Sequence, residues 1–506
     1  MKNLTRYFVL RAAWALGALV AFGAASRGAD RPNVILIIGD DISWDDFGCY
    51  GNAAARTPHT DRLAKNGILF TNAFLTASSC SPSRSSIVTG RYPHNNGAAS
   101  ELHRPIASNI RRFPALLREK GYYTALSGKN HMSQEKPPAG VAALPEPFEV
   151  VDNGQVDGNH GGHGRWVEHL QNRPKDRPFF LWFASLDAHR AWDADAEWDE
   201  QAYGPKHDPA NVKVPPFLVD NTETRRDLAS HANEVTRLDH FVGRVVAELE
   251  RQDLLKNTLL FVTADNGRPF PRAKTRLHDS GMKAPLIAHW PAGIQRPGTR
   301  GSGLVSSIDL APTILEVAGV PAPDSFQGVS LRPLFSKPDA RVRRFVFSEH
   351  NWHDYAANAR SVRDGEYLYI TNLRPAEAWQ GPADSVRSPS HTSLQALEAA
   401  GKLNLAQRDV FLAPRPAEEL YRVADDPNQL NNLVDAPEHA AALQRLRTTM
   451  KQWRDETADS DPPNPSTDGF DRRTGDRLYG PKDTRYHRNP AGADRNAHRI
   501  NLPGPR

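Results

Sequence analysis

The chain has 506 residues, of which 24% are charged and 39% hydrophobic, with a formal net charge of +4 and two cysteines. So mild a positive balance, without any lysine-arginine run, excludes a protein that holds nucleic acid by charge. Two thiols cannot build a disulfide framework, and the length predicts a large domain with a smaller one rather than a single core.

In chain order, Lys2, Arg6 and Arg11 precede the apolar run AAWALGALVAFGAA, with small residues around Ala25 to Ala29. That layout predicts a cleaved secretory signal over 1–29, since the run is short of the ~20 residues a bilayer span needs. The expected location is secreted or periplasmic, with no membrane attachment after cleavage.

From Asn33 onward, short apolar runs alternate with amphipathic segments, which predicts an α/β fold with a mainly parallel, doubly wound sheet. The strand candidates are VILIIG (34–39), YYTALSG (122–128), FFLWFASL (179–186) and LLFVTA (259–264). Helices are expected over 60–66, 113–120, 227–251 and 309–318, the last with Asp309 at its cap and Gly319 after it. Past residue 340 the runs FVFSEH, EYLYITNL and EELYRV and a helical pattern at 436–456 predict a smaller α+β domain with an antiparallel sheet. The expected division is a catalytic domain over 30–340, the smaller domain over 341–459, and a Pro/Gly/Arg-rich extension over 460–506 that either wraps the surface or is disordered.

Each parallel strand candidate ends in polar residues: Asp40 and Asp41, Lys129 and His131, Asp187, His189 and Arg190, Asp265 and Asn266. Open α/β sheets bind ligands beyond the carboxyl ends of their strands, so these groups are expected to converge. Asp40, Asp41, Asp265 and Asn266 offer only oxygen, a set suited to calcium or magnesium. His160 and His163 in GNHGGHG, with their glycine-rich surroundings, read as a flexible loop rather than a metal site. Trp192 and Trp198 are candidates for stacking on sugar rings or for core packing.

Cys80 is a soft thiol beside a hard-cation site, in SSCSPSRSSIVTG (78–90). A disulfide to Cys49 remains open. The spacing Cys-x3-Arg is not the Cys-x5-Arg loop of cysteine phosphatases. The stretch Cys80-Ser81-Pro82-Ser83-Arg84 with Thr89-Gly90 resembles the signature of type I sulfatases, as do RPNVILIIGDD, GKNH at 128–131, Asp-Asn-Gly at 265–267 and SSIDLAPTILEVAG at 306–319.

The resemblance implies an alkaline-phosphatase-like fold, and conversion of Cys80 to formylglycine (3-oxoalanine) by a maturation enzyme. It implies one calcium, or magnesium, held by Asp40, Asp41, Asp265, Asn266 and the modified residue 80. Arg84 would hold the hydrated aldehyde, and Lys129 and Lys274 the sulfuryl oxygens. His131 would act as base and His189 as proton donor to the leaving group. One hydroxyl of the hydrate would attack sulfur and the second would expel sulfate.

Within sulfatases, HNNG, DAHR, DNGRPFP, HNWHDYAANARSVRDGEYLYITNL and ELYRVADDPNQLNNLV look most like the N-sulfoglucosamine sulfohydrolases, although an arginine stands there where this chain has Lys274. Substrate contacts are then expected from Arg190, His350, His353 and Arg360, beside Lys129, His189 and Lys274. The implied partner is a sulfated glycan of heparan sulfate type, and a homodimer is compatible with the resemblance. A glycan O-sulfatase, a phosphodiester or phosphonate hydrolase using the same aldehyde, and an unmodified glycan binder stay open as alternatives.

Overall fold

Side chains along a strand alternate between the two faces of its sheet, so a strand covered on both sides must be apolar throughout. The first strand, β1 (Asn33–Gly39), is of this kind, with all seven residues buried. In the computed structural model, residues 31–488, 490 and 502–506 are described, so the signal segment 1–29 lies outside the described residues.

The strands that follow in the first part of the chain are β2 (Ile68–Phe70), β3 (Ala73–Phe74), β4 (Tyr123–Gly128), β5 (Val150–Asp152), β6 (Phe179–Ala184), β7 (Thr258–Ala264), β8 (Leu286–His289), β9 (Thr299–Gly301) and β10 (Val305–Ser306). Eight of them form one sheet in the order β5-β4-β6-β1-β7-β8-β2-β9. It is parallel from β5 to β7, with β8 antiparallel to both of its neighbours. All four strands expected from the sequence are therefore adjacent, and their carboxyl ends open on one edge.

On one face, Val34, Leu36 and Ile38 pack with Phe180, Trp182, Leu259 and Phe261. The helices Cys80–Thr89, Phe113–Glu119 and Leu310–Val317 cover that face. On the other, Ile35, Ile37, Leu181 and Val262 meet Val235, Leu238, Val242 and Leu249 of the Thr222–Arg251 helix. The aliphatic stripe of that helix is core.

The later strands β11 (Val346–His350), β12 (Ala359–Arg363), β13 (Tyr367–Asn372) and β14 (Glu418–Arg422) form an antiparallel sheet in sequence order. The Ala440–Thr457 helix packs on it, with Trp453 stacked on Phe347 at a centroid separation of 4.9 Å. This sheet is joined to the first part by backbone: Glu349 N–H donates to Thr76 O at 2.8 Å. The described part of the extension runs along the surface, where Trp352 donates to Thr467 O at 2.7 Å and stacks on Tyr486 at 5.1 Å. Among the described residues no helix is long and apolar enough to cross a membrane.

Candidate active site

The ends of β1, β4 and β7 bring the expected polar groups together on one edge. Asp40 and Asp41 leave β1 fully buried, and Asp265 and Asn266 leave β7 fully buried beside them. Asp41 has φ 60°, a left-handed backbone that turns the chain so that its N–H donates to Asp265 Oδ1 at 3.3 Å. Gly128 ends β4 with φ 105°, and a Cβ there would fall 1.7 Å from Ala184 O, so only glycine can bring Lys129 so close to β6.

Opposite these strand ends lies the Cys80–Thr89 helix, with all ten of its residues buried. Cys80 is its first residue, Pro82 lies in its first turn where its missing N–H costs nothing, and Gly90 closes it at φ 64°. Both cysteines are free. Cys49 N–H donates to Asp61, whereas the Cys80 thiol lies 3.9 Å from Asp40 Oδ1, so the disulfide alternative is corrected.

Three carboxylates and three cations meet here. Arg84 Nε donates to Asp265 Oδ2 at 2.8 Å, Lys129 pairs with Asp40, and Lys274 Nζ lies 2.7 Å from Asp41 Oδ1. Burial pushes the Asp265 carboxyl up to about 6, with Arg84 opposing and Asp40 reinforcing. Burial also acts upward on Asp40, but Lys129, then His189, Arg84 and Lys274, hold it well below the usual carboxylate range. The Cys80 thiol is pushed up to about 12, chiefly by burial, against the lowering influence of Lys129 and Lys274. A thiol in that state is protonated at neutral pH and is a poor nucleophile.

The donor set fits a hard divalent cation. Asn266 Nδ2 donates to Asp41 and to Gly267 O at 3.0 Å, which leaves Asn266 Oδ1 buried without a protein partner. A buried carbonyl oxygen so placed calls for a cation or donor beside it. Ligand atoms of Asp40, Cys80 and Asp265 lie within 4.8 Å of one another.

The histidines divide between two sides. His131, at φ 49°, has its Nε2 2.7 Å from His103 Nδ1. His189, with 35% of its side chain exposed, has its Nε2 4.0 Å from Asp41 Oδ2 and 3.8 Å from Asp384 Oδ2. His353 is buried and its Nδ1 lies 2.7 Å from the hydroxyl of Ser79, the residue capping the Cys80 helix. His350 is buried edge-on to Trp379 at 4.8 Å and its Nδ1 has no protein partner.

Other expectations are corrected by the packing. Arg190 is held in a two-pronged pair with Asp227 at 2.7 and 2.8 Å, and Arg360, fully buried, forms the same pair with Asp459 at 2.8 and 2.9 Å. Neither guanidinium is free to take a substrate sulfate. Asp187 is likewise paired with Arg237 at 2.7 Å. His163 is fully buried, bonded to Asp187 at 2.8 Å and stacked on Phe241, so it belongs to the core rather than to a flexible loop. His160 pairs with Glu197, a carboxylate distant in sequence that the fold brings to it. Trp198 packs on Tyr203 with its N–H on Gly204 O, while Trp192 is partly exposed beside Arg190.

Two residues of the site escaped the sequence reading. His103 stands in a loop at φ 65° with no motif around it. Asp384, on the short helix Ala383–Val386, lies 3.7 Å from Lys274 Nζ although 110 positions separate them in sequence.

Comparison with known proteins agrees with this geometry. Residues 32–320 match the sulfatase family model, and residues 272–389 match the model for the C-terminal region of N-sulphoglucosamine sulphohydrolase. The human N-sulphoglucosamine sulphohydrolase is 32% identical over 466 residues, covering 85% of this chain and 91% of its own. An ulvan-active sulfatase of Formosa agariphila is 29% identical over 478 residues, covering 84% of this chain and 75% of its own. A solved structure of a protein with its substrate D-glucosamine-2-N,6-O-disulfate aligns with a TM-score of 0.60 over 84% of this chain and 98% of its own, a likeness of fold at 19% identity.

Proposed function

Because the chain belongs to the sulfatase family, we propose that it is an exported hydrolase that removes the N-sulfate of a glucosamine residue in glycans of heparan sulfate type. The observation that supports the reading is Cys80 at a helix N-terminus with its thiol 3.9 Å from Asp40, a carboxylate paired with Lys129, next to Asp41, which is paired with Lys274. The choice of an N-sulfate rests on the match over 272–389, a segment that includes Lys274, His350, His353 and Asp384.

Calcium, with magnesium as the alternative, would be held by Asp40, Asp41, Asp265, Asn266 and residue 80, and when bound supplies Lewis-acid polarisation of a sulfuryl oxygen. Oxidation of Cys80 to formylglycine by a maturation enzyme would replace an inert buried thiol with a hydrated aldehyde, one hydroxyl to attack sulfur and one to let sulfate go. Arg84, fully buried and bonded to Asp265 and to Lys129 O, would hold the hydrated residue 80 one turn before it on the same helix. Lys129 and Lys274 stabilise negative charge on the sulfuryl oxygens as it builds. His131 takes a proton at Nδ1, and His189, on the exposed side, gives one to the departing nitrogen.

A second reading, a glycan O-sulfatase, is favoured by the likeness to the ulvan-active sulfatase. Sulfate release from glucosamine N-sulfate and from glucosamine 6-O-sulfate separates the two. The assay is run on protein whose Cys80 peptide is lighter by ~18 Da, the mark of the aldehyde. Release from the 6-O-sulfate alone overturns the N-sulfate reading, and release from neither overturns both.

A further inference from the structure

A cleft of about 460 Å³ opens beside the leaving-group side of the site. Asp384 is common to both: it lines the cleft and stands 3.8 Å from His189 Nε2 and 3.7 Å from Lys274 Nζ. The volume is within the range of ligand sites, about 300–1,000 Å³.

The walls are preset. Asp227 accepts both prongs of Arg190, the Trp192 indole N–H at 3.0 Å and the Ser390 hydroxyl at 2.6 Å, so its charge is spent inside the protein. Those bonds fix the Trp192 ring, over which the Arg190 guanidinium sits at 4.5 Å. A partly exposed, immobilised indole is the usual wall for the apolar face of a sugar.

The rim is unlike the walls. Arg226 and Arg387 are exposed there, together with the acid Glu223. Arg387 donates to Gly475 O and forms no ion pair among the described residues, with Asp354 its electrostatic neighbour. Arg226 has no carboxylate within ion-pair distance among the described residues. Asp384, the remaining acid lining the cleft, faces inward to Lys274 Nζ at 3.7 Å, so at the rim itself two arginines stand against Glu223, beside a site for an anionic group.

We propose that this cleft receives the sugar joined to the one that reacts, and that Arg226 and Arg387 bind an anionic substituent on that sugar, a carboxylate or a sulfate ester. The inference rests on the sulfated-glycan reading above and adds to it a preference for chains over single sugars. Guanidinium recognises both anions through paired N–H donors, so the chemistry is shared.

The test is calorimetric binding to full-length Cys80→Ala protein. The probes are glucosamine N-sulfate alone and disaccharides in which the neighbouring sugar carries a carboxylate, a sulfate ester or neither. One or both anionic disaccharides should bind about tenfold more tightly than the single sugar, the size of one charged hydrogen bond. Which of them does so identifies the substituent. The double variant Arg226→Ala, Arg387→Ala should erase that gain and leave the affinity for the single sugar unchanged. Arg226→Ala alone, which removes no intramolecular partner, should lose part of it.

Equal affinity for all the probes, or a gain that survives the double variant, overturns the proposal. Failure of the hydrolase reading shows elsewhere, as an absence of sulfate release by wild-type protein carrying the aldehyde, and leaves the binding comparison standing.

Discussion

His103 Nδ1 lies 2.7 Å from His131 Nε2, while His131 Nδ1 is buried and has no protein partner. For the proton transfer proposed above, the two facts together favour Nδ1 as the exchanging nitrogen of His131. When His103 is neutral and accepts from His131 Nε2–H, the lone pair of His131 rests on Nδ1 and the ring is a base.

The pH dependence follows from His103. Although the residue is exposed at the surface, desolvation of its ring by the surrounding atoms, then Lys129 and His487, lowers it to about 4. Above that value it is neutral, and in the tautomer with the proton on Nε2 its Nδ1 accepts; below it the imidazolium can only donate to His131 Nε2, and the proton of His131 moves to Nδ1. The expected kcat/KM therefore falls as pH drops through about 4. His103→Gln supplies an acceptor that does not titrate, so the acid limb should vanish with activity kept within about tenfold, whereas His103→Leu should lose ~10²-fold. Profiles of kcat/KM with folding followed by circular dichroism check this, and an identical acid limb in wild type and His103→Gln contradicts it.

At residue 80 the expected outcome is separation of folding from turnover. Cys80 is 3% exposed among Leu102 and Trp352, and alanine there removes one atom. Cys80→Ala should unfold within a few degrees of wild type and release no sulfate, while Cys80→Ser should be sulfated once and stop, for want of a second hydroxyl. Intact-mass analysis after incubation with substrate distinguishes these. Undiminished turnover by either variant removes residue 80 from the chemistry.

For the cation, Asn266 is a probe whose Oδ1 makes no protein hydrogen bond, so besides a ligand the substitution removes only the two Nδ2 bonds, to Asp41 and to Gly267 O. Asn266→Ala should weaken calcium binding by at least about tenfold, read by calorimetry without reference to activity. Unchanged affinity would place the cation elsewhere.

What could be read beforehand follows from how local each signal is. The strands at 34–39, 122–128, 179–186 and 259–264 were legible because burial on both faces demands unbroken apolar runs. Their polar ends were legible because such sheets gather ligands at one edge. The strand β12, ARSVR, was not, since its arginines are hidden by partners that sequence does not show: Arg360 by Asp459 and Arg363 by Asp279. Arg190 and Arg360 looked available for the same reason. His103 and Asp384 reach the site only through tertiary folding, from a loop and from a short helix far along the chain.

Asp384 bears on the leaving group. With its carboxylate removed, Lys274 keeps Asp41 but His189 loses the nearer of its two carboxylates, at 3.8 Å against 4.0 Å. A departing amine needs a proton and an aryl oxide does not. Asp384→Ala should therefore lower kcat on glucosamine N-sulfate about tenfold while leaving an aryl sulfate nearly untouched. Equal losses on both substrates would assign Asp384 to Lys274 instead.

The loop that presents Lys274 is held from behind by charge. Arg272 Nε lies 3.1 Å from Asp409 Oδ2, Arg415 Nη2 lies 3.1 Å from Asp409 Oδ1, and Arg276 closes on the same carboxylate. Burial acts to raise Asp409, yet Arg276, Arg415 and Arg272 hold it well below its ordinary value. A carboxylate depressed on folding contributes stability that is complete above its unfolded pKa of about 3.9 and is lost as pH falls through the folded value. Asp409→Asn removes the shared carboxylate of three arginines: Arg415 keeps Glu419 and Arg272 keeps the carbonyls of Asn428 and Gln429, whereas Arg276 loses its one ion pair among the described residues, and burial already pushes it down to about 9. Breaking such a buried cluster costs about 3–5 kcal/mol. The expected result at pH 7 is a fall of that order in unfolding free energy by denaturant titration. The gap from wild type should narrow as pH falls below 4, where protonation does to wild type what the substitution has already done. A constant gap down to the acid transition would mean that Asp409 is not charged in the folded protein.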